Sequence, residues 1–358
     1  MYSIFDYNTY VLFIELIVSI TCTFLLISHK DKYKAFINTN FNGPQKIHDD
    51  FVPRLGGISF YVSILFCTFF FESDYKIKFY FIILSCLPAF ISGICEDLTH
   101  LITPKIRLLA SILSAIIFIF LLKVKITHVG ISFIDYALGS IVLSVFVTVL
   151  SISILIQAYN IIDGLNGLAN INFILLLISV LVISYDISYF ILFELSLCLL
   201  IAILGVFLFN FPFGNIFLGD GGAYALGAIS SFLVILLTQL NEIVHPSVAL
   251  LLIIYPVYEL IRSFVRRSFK GLSFIFKPDD KHLHSLVYRY KCNHSKQPNY
   301  IVNSSSTIKI SIIPIFSSIW SCLFYDDVYF IYSGIIFSIL LYEYMYFNYK
   351  LNQKNDKF

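Results

Sequence analysis

Five polar segments interrupt an otherwise apolar chain, and their residue types are those of phosphate and metal chemistry. Charged groups are costly in lipid, so acids, bases and glycine-rich turns in such a chain indicate a functional site. The segments begin at Lys46, Gly93, Asn160, Asn210 and Lys277. Together they predict a site for phosphate-bearing molecules.

The first segment, residues 46–57, reads K-I-H-D-D-F-V-P-R-L-G-G. Lys46, His48 and Arg54 are donors that bind anions, and the two closing glycines permit close approach of another backbone. An equally simple interpretation is a basic loop at the membrane edge with a glycine hinge, and this segment alone leaves both open.

The second segment contains adjacent acids, Glu96 and Asp97, followed by Lys105 and Arg107. Two carboxylates at a membrane edge predict a divalent cation, and the bases predict contacts with phosphate oxygens. The alternative is an acidic helix end that pairs with its own lysine and arginine.

The third segment, residues 160–169, reads N-I-I-D-G-L-N-G-L-A. Asn160, Asp163 and Asn166 have side chains that read a nucleobase or bind a metal. A plain turn built from asparagine, aspartate and glycine is the alternative, although the segment is richer in polar groups than a turn requires.

The fourth segment runs from Asn210 to Gly222 and places Asp220 among glycines. Exposed backbone N–H groups beside one carboxylate suit a metal-bridged diphosphate, and Phe217 offers a face for a nucleobase. The Walker A pattern is absent, which excludes a P-loop NTPase.

The fifth segment, residues 277–284, reads K-P-D-D-K-H-L-H. His282 and His284, with Asp279 and Asp280, indicate a metal site or imidazoles that bind an anion. A solvated loop is the alternative for this segment taken by itself.

The elements that position these segments are predicted to be membrane helices. Of the 358 residues, 58% are hydrophobic and 13% charged, with mean hydropathy +0.85, whereas soluble domains carry roughly a quarter charged residues. Long apolar stretches without alternation favour helices over barrel strands. The prediction is one all-α polytopic membrane domain, 1–358, with about eleven spans near 10–28, 55–71, 78–94, 108–122, 136–158, 170–186, 189–209, 223–240, 247–262, 308–325 and 328–347.

Seven scattered cysteines contain no C-x-x-C pair. That spacing argues against a disulfide framework or a zinc site and favours small buried hydrophobes. The stretch 10–28 follows no basic residue and has no cleavage site, so a retained helix is expected rather than a signal peptide.

The distribution of basic residues predicts the orientation. If connecting segments alternate between two sides, twenty Lys and Arg residues fall on one side, chiefly in the larger loops 29–54 and 262–309. The other side holds only Lys76, Lys78, Lys123 and Lys125. The positive-inside rule therefore predicts a cytoplasmic C-terminus and active site, an outside N-terminus, and basic segments that contact membrane lipids. A net charge of +2 gives no indication of a nucleic-acid partner.

Carboxylates, bases, histidines and glycine-rich turns at a membrane boundary are the groups that magnesium-assisted phosphoryl transfer requires. A transporter or flippase of a lipid-linked glycan is the alternative from another class. Transport sites lie near the bilayer midplane between repeated halves, whereas these segments cluster at one face and show no duplication. An inactive membrane scaffold would leave the glycine-framed Asp220 unexplained.

The motifs H-x-x-x-x-P-R-L-G-G, N-x-x-D-G-L-N-G-L-A, F-L-G-D-G-G and P-D-x-x-H-L-H occur in this order between about Lys46 and Tyr288. In combination they resemble the polyprenyl-phosphate N-acetylhexosamine-1-phosphate transferases, the WecA-like and MraY-like glycosyltransferase 4 group. The resemblance implies ten or eleven helices, Mg²⁺ dependence (Mn²⁺ as a substitute), a UDP-N-acetylhexosamine donor and a polyprenyl phosphate acceptor. The implied products are polyprenyl-diphosphate-sugar and UMP, the first lipid-linked intermediate of a surface polysaccharide.

The resemblance also implies residue roles. Asp220 matches the metal ligand, with Asp97 and Asn160 beside it, and Asp97 also lies near the acceptor phosphate as a candidate base. The remaining matches are Glu96 and Asp163 among the catalytic acids, Asn210 in the cleft, Phe217 and Asn166 at uracil, Lys46, Lys105 and Arg107 at phosphates, and His282 and His284 in the histidine motif. His48 and Arg54 are further candidates for substrate binding. Direct attack by the acceptor and a covalent aspartyl route use the same residues.

Three departures from the usual pattern concern Glu96, Asn166 and Ser285. Glu96 replaces the first acid of an Asp pair, Asn166 stands where many members have Asp, and Ser285 ends a histidine motif that is usually longer. The Glu-Asp-Leu-Thr and His-Leu-His versions resemble a subgroup of O-antigen assembly in the bacterial inner membrane. A homodimer is a further possibility that the sequence leaves open.

Overall fold

The computed structural model describes residues 4–36, 52–70, 73–269 and 281–355. Over these residues the chain forms helices and no strands. In chain order the helices are α1 (Ile4–Ser28), α2 (Lys30–Phe36), α3 (Gly56–Thr68), α4 (Ser73–Thr99), α5 (Pro104–Leu122), α6 (Ser132–Leu138), α7 (Ile141–Ile162), α8 (Leu168–Asp186), α9 (Phe190–Asn210), α10 (Gly219–Gln239), α11 (Ser247–Leu252), α12 (Ile254–Ser268), α13 (Leu283–His294), α14 (Asn299–Ile310), α15 (Ile312–Phe324) and α16 (Val328–Asn355).

Among the described residues, nine helical stretches are long and apolar enough to cross a membrane. This confirms an all-α polytopic membrane protein but not the predicted count of eleven. The predicted span 55–71 is the 13-residue helix α3, about 20 Å long, shorter than a hydrocarbon core of about 30 Å. The predicted span 247–262 is divided at Ile253 into α11 and α12.

Helix α10 is the centre of the bundle. Nearly all of its side chains are buried, and it contacts α3, α4, α5, α7 and α8. Its first half is rich in glycine, alanine and serine, and small residues let neighbouring backbones approach closely in membrane helices.

Two glycine pairs show how close this approach is. A Cβ added to Gly57 would lie 2.4 Å from the Cα of Gly222, and one added to Gly93 would lie 2.4 Å from the Cα of Gly221. No side chain fits at either contact. Helices α3 and α4 are therefore held against the beginning of α10, where the fourth polar segment ends.

All seven cysteines are free. Cys67, Cys86 and Cys198 are buried, as expected for small hydrophobes, and the other four are half-buried.

Candidate active site

The first and fourth polar segments lie side by side at one end of the bundle. The N–H of Phe217 donates to the carbonyl of Pro53, and the N–H of Gly56 donates back to the carbonyl of Phe217, both at 2.9 Å. The N–H of Gly57 donates to the carbonyl of Leu218 at 2.9 Å. These three hydrogen bonds join segments that are distant in sequence, and we call this backbone pairing of residues 53–57 with 217–218 the loop clamp.

The loop clamp places Arg54 at the carboxylates. Gly219 has φ +78°, and a Cβ added there would lie 2.2 Å from the carbonyl oxygen of Arg54 and 2.6 Å from Oδ2 of Asp97. Only glycine combines a favourable positive φ with the absence of a Cβ atom. The Arg54 side chain is exposed, and its positive charge acts on Asp97 and Asp163.

Asp97 lies at the end of α4, only 1% exposed, against the start of α10. The N–H of Gly221 donates to its Oδ2 at 3.0 Å, and a negative charge at a helix N-terminus is stabilised by the helix dipole. Its other oxygen, Oδ1, has no hydrogen-bond partner. The hydrogen bond at Oδ2 therefore fixes the Asp97 carboxylate, and Oδ1 makes no hydrogen bond within the described part of the protein.

Asp220, in the first turn of α10, forms an ion pair with Arg107 of α5. The Nη1 of Arg107 lies 2.8 Å from Oδ2 of Asp220, and both side chains are partly exposed. Glu96 has a different position, because its Oε2 accepts the N–H of Ile102 at 2.9 Å. Glu96 thus stabilises the turn between α4 and α5, and its predicted catalytic role remains a prediction.

The third polar segment adds Asp163 and Asn160 to the same end of the bundle. Both are half-buried, Asn160 in the last turn of α7 and Asp163 directly after it. Burial raises the pKa of Asp163 well above its usual value; the charge of Arg54 lowers it, and Asp220 and Asp97 raise it. Three carboxylates therefore share one region, where two arginines offset their charge.

Replacing Arg54 by glutamine is expected to reduce turnover at neutral pH by about 10- to 100-fold. Without this positive charge the pKa of Asp163 rises further, so the carboxyl groups keep their protons to higher pH. The acid limb of the rate–pH profile should therefore move to higher pH. Lys123→Gln, an exposed base after α5, is the matched control; a profile unchanged in Arg54→Gln would contradict this role.

Asn210 connects the third and fourth segments. Its Oδ1 accepts the N–H of Gly167 at 2.6 Å and the Nδ2 of Asn170 at 3.1 Å. Its Nδ2 donates to the carbonyl of Ile216 at 2.7 Å. The structure thus shows Asn210 bracing two loops, and its predicted contact with substrate remains untested.

Asn166 is 2% exposed and is held by α14 and the 211–214 turn. Its N–H donates to Oδ1 of Asn303 at 2.8 Å, and its carbonyl accepts the hydroxyl of Thr307 at 2.8 Å. Its Nδ2 lies 3.2 Å from the carbonyl of Pro212, while Oδ1 has no partner. The side chain retains one unpaired acceptor for the predicted nucleobase.

The histidine motif is tied to a buried carboxylate on α12. The Nδ1 of His282 lies 2.9 Å from Oε1 of Glu259, which is 0% exposed. Glu259 also accepts the N–H of Leu283 at 3.2 Å and the hydroxyl of Tyr342 at 2.9 Å. One acid therefore fixes α13 against α12 and α16.

His284 brings the histidine motif into contact with the third polar segment. Its ring stacks on that of His282, with centroids 5.3 Å apart and planes within 2°. A Cβ added to Gly164 would lie 2.5 Å from Nε2 of His284. Burial lowers the pKa of His284 to about 3, with the His282 charge acting in the same direction. His284 is therefore a neutral imidazole against the loop of Asp163.

Glu259→Gln is expected to lower stability by about 1–3 kcal/mol, because the amide cannot accept all three donors. Turnover should fall by about 10- to 100-fold as His282 and His284 lose their fixed position. Thermal unfolding in detergent and steady-state rates measure both effects. The exposed Glu242→Gln on the opposite end is the matched control, and equal behaviour of the two variants would exclude the positioning role.

His284→Asn is expected to remove part of the acid sensitivity of the fold. A histidine with a depressed folded pKa contributes stability above its unfolded value of about 6.5, and that contribution is lost as pH falls toward 3. Between pH 7 and 5 the wild type should lose about 2 kcal/mol relative to the variant. Apparent Tm against pH tests this, with the exposed His29→Asn as control; parallel curves would refute it.

The structure brings together most of the predicted site residues it describes. Asp97, Asp163 and Asp220 share one region with Arg54 and Arg107, and His284 adjoins it through Gly164. Phe217 is half-buried beside the Asp220 turn, and Lys105 is exposed at the start of α5. Lys46 and His48 lie outside the described residues, as do Asp279 and Asp280.

Sequence reasoning missed the residues that support the site. Glu259, Tyr342, Asn303 and Thr307 hold the histidine motif and the Asn166 loop. Glu259 was detectable, because it is an acid within the predicted span 247–262 and such acids are expensive in lipid. The other three carried no signal in the sequence.

Known proteins that this chain resembles are transferases. Residues 79–238 match the model of glycosyl transferase family 4. A Salmonella typhi undecaprenyl-phosphate alpha-N-acetylglucosaminyl 1-phosphate transferase is 27% identical over 280 residues, 75% of this chain and 74% of the relative. The Thermotoga maritima protein of that name is 27% identical over 245 residues, 68% and 71% of the two chains. A Streptococcus agalactiae phospho-N-acetylmuramoyl-pentapeptide-transferase is 24% identical, covering 64% and 74%.

Proposed function

Because the chain belongs to glycosyltransferase family 4, we propose that it transfers N-acetylhexosamine 1-phosphate from a UDP-sugar to undecaprenyl phosphate. The acceptor phosphate oxygen forms a bond to the phosphorus that carries the sugar, and the diphosphate bond of the donor breaks. UMP leaves, and undecaprenyl-diphosphate-sugar remains in the membrane.

The observation that carries this proposal is the cluster of Asp97, Asp163 and Asp220 with Arg54 and Arg107 at one end of the bundle. Two phosphate-bearing substrates repel each other, so their reaction needs positive charge at the phosphates and oxygen ligands for a cation. Arg54 supplies an exposed positive charge that acts on Asp97 and Asp163, and Arg107 forms an ion pair with Asp220. The polar groups meet at one end rather than at mid-bundle, which favours transferase over flippase.

The residues fit a magnesium ion. All three acids and Asn160 offer oxygen ligands, which Mg²⁺ prefers, and Oδ1 of Asp97 is buried without a partner. Asp220 and Asp97 would hold the ion, with Asn160 as a further ligand. When bound, it supplies charge stabilisation to the phosphoryl oxygens.

Asp97 also takes up the proton of the acceptor phosphate at Oδ2, the oxygen that the Gly221 N–H orients, which leaves Oδ1 for the ion. Arg107 holds Asp220 in position and contacts a donor phosphate as the substrate enters. We favour direct attack by the acceptor phosphate on the donor, because the buried Asp97 has one oriented oxygen at the beginning of α10. A covalent aspartyl intermediate would appear as a mass increase of one sugar phosphate.

The nucleoside part of the donor lies against Phe217 and Asn166. Phe217 presents a half-buried ring beside the Asp220 turn, suitable for stacking on uracil. The unpaired Oδ1 of Asn166 accepts a hydrogen bond from the base. His284 lies against the Asp163 loop and His282 is held by Glu259, and the two imidazoles position the donor phosphates.

The active-site end faces the cytoplasm in this proposal, with the N-terminus outside and the C-terminus inside a bacterial inner membrane. The excess of Lys and Arg in the segments of that end supports it. A C-terminal fusion to a reporter that is active only in the cytoplasm should be active; an active periplasmic reporter at that position would reverse the orientation. Analytical ultracentrifugation tests whether the chain forms a homodimer.

We propose UDP-N-acetylglucosamine as the donor and O-antigen assembly as the context. The names of the Salmonella and Thermotoga relatives support the sugar, while the Streptococcus relative is named for a phospho-N-acetylmuramoyl-pentapeptide. The donors tested must therefore include both UDP-N-acetylglucosamine and UDP-N-acetylmuramoyl-pentapeptide.

The test uses purified protein in detergent with undecaprenyl phosphate, Mg²⁺ and a panel of UDP-N-acetylhexosamines that includes UDP-N-acetylmuramoyl-pentapeptide. UMP release with UDP-N-acetylglucosamine, and its loss on adding EDTA, is the expected result. Release with another sugar would correct the donor. No UMP from folded protein with any donor, together with movement of lipid-linked glycan across liposomes, would overturn the transferase in favour of the flippase.

A further inference from the structure

Glu15 of α1 is an acid that the proposed reaction does not use. It is 0% exposed within a predicted membrane span, and the group beside its carboxyl is the thiol of Cys67, a weak hydrogen-bond donor. A buried carboxyl group without a strong donor costs several kcal/mol in a low-dielectric interior. The weak thiol donor of Cys67 offsets only part of this cost.

Two cysteines from two other helices lie beside Glu15. Cys67 of α3 and Cys198 of α9 are buried, and their Sγ atoms are 3.2 Å apart. One ligand atom from each of the three residues lies within 4.8 Å of the others. Three helices therefore direct two thiols and a carboxyl group to one point.

A small cavity adjoins this point. Its volume is about 30 Å³, and its lining includes Cys67, Cys198 and Glu194. That volume admits one small ligand such as a water molecule. The two thiols therefore adjoin a space for one small ligand, and the Glu15 carboxyl lies beside them outside its lining. Two thiols, a carboxyl group and a small ligand have the composition of a tetrahedral metal site.

We propose that Glu15, Cys67 and Cys198 bind a zinc-type divalent cation that ties α1, α3 and α9 together. Thiolates select zinc over the oxygen-binding Mg²⁺. Zn–S bonds of about 2.3 Å at a tetrahedral angle place two sulfurs about 3.8 Å apart, which a small side-chain rotation reaches from the present separation. Each thiol releases its proton on binding, the two thiolates balance the dication, and Glu15 is the third protein ligand.

A disulfide between Cys67 and Cys198 would explain fewer of these observations than a bound cation does. It would remove the thiol donor beside the buried Glu15, and it needs an oxidant that neither the fold nor the transferase reaction supplies. The cation accounts for all three residues and for the cavity.

The site is structural, because it lies far from the carboxylate cluster. Cys67 is ten residues beyond Gly57 on α3, about 15 Å along the helix. Cys198 is twelve residues before Asn210 on α9, about 18 Å along its axis. Since α3 continues from the loop clamp and α9 ends at Asn210, the cation would stiffen the two helices that support the active site without contacting substrate.

The test measures metal on the full-length protein, purified in detergent under reducing conditions and resupplied with Zn²⁺. Mass spectrometry of the metal should find one zinc per chain, and Co²⁺ in its place should give the absorption bands of tetrahedral thiolate ligation. The Cys67→Ser/Cys198→Ser double variant and Glu15→Gln should each lose at least tenfold in zinc affinity. Cys86→Ser, another buried cysteine of the bundle, should keep it.

A second measurement needs no variant. Zinc should raise the apparent Tm of the wild type, and chelation should lower it reversibly, because a ligand of the folded state stabilises that state. Absence of zinc and of the cobalt spectrum from wild-type protein with free thiols would overturn the proposal. So would a peptide that contains a Cys67–Cys198 disulfide. Neither outcome depends on transferase activity, so failure here leaves the proposed reaction untouched.

Discussion

Asp220→Asn is expected to reduce the rate of UMP release by about 1000-fold or more at ordinary Mg²⁺ concentration. The change removes the carboxylate at the start of α10 but keeps its shape, so an amide oxygen can still accept the hydrogen bond from Arg107. The protein should therefore remain folded, with an apparent Tm within a few degrees of the wild type. If Asp220 binds magnesium, the variant should also need a higher Mg²⁺ concentration for half-maximal rate.

Asp135→Asn is the matched control for this variant. Asp135 accepts a hydrogen bond too, from the backbone N–H of Val129 at 2.6 Å, but it lies in the short helix α6 at the opposite end of the bundle. Its substitution should leave the rate within threefold of the wild type. A rate for Asp220→Asn within tenfold of the wild type, from protein that remains folded, would remove Asp220 from the reaction.

Asp97→Asn is expected to lower kcat by about 1000-fold while the KM for the UDP-sugar changes little. The amide keeps an acceptor for the Gly221 N–H but cannot take up a proton. Because the variant also removes a buried charge with an unpaired oxygen, its apparent Tm should equal or exceed that of the wild type. Steady-state kinetics and a thermal scan on the same preparation measure both.

The Glu96→Gln variant distinguishes the role of Glu96 from that of the adjacent Asp97. Glu96 accepts the N–H of Ile102 and stabilises a turn, so its amide should cost less than tenfold in rate and a small amount of stability. If Glu96→Gln is as inactive as Asp97→Asn, the two acids act as the pair that the sequence suggested. A large fall in Tm for Asp97→Asn would instead assign Asp97 a mainly structural role.

The sequence alone determined the class of protein and identified candidate residues for its site. Long apolar stretches have few stable states in a bilayer, so helices follow from hydropathy without knowledge of their packing. Acids and glycine-rich turns are costly in such a chain, and for that reason Asp97, Asp163 and Asp220 were visible as candidates. Their order in the chain also carried the family resemblance.

Tertiary structure decided which of these groups meet and what holds them. The loop clamp joins Pro53 to Phe217 through backbone atoms, which the side-chain pattern cannot reveal. Glu259 becomes the support of His282 only because α12, α13 and α16 pack together.

The cysteines illustrate the same limit. Their spacing predicted no metal site, since local motifs such as C-x-x-C are absent. Folding nevertheless brings Cys67 and Cys198, 131 positions apart, to a separation of 3.2 Å beside Glu15. Spacing detects ligands only when one turn or loop supplies them, whereas contacts between distant helices depend on packing. In this protein the packing follows from small residues such as Gly57 and Gly93, whose lack of a side chain sets how closely the helices approach α10.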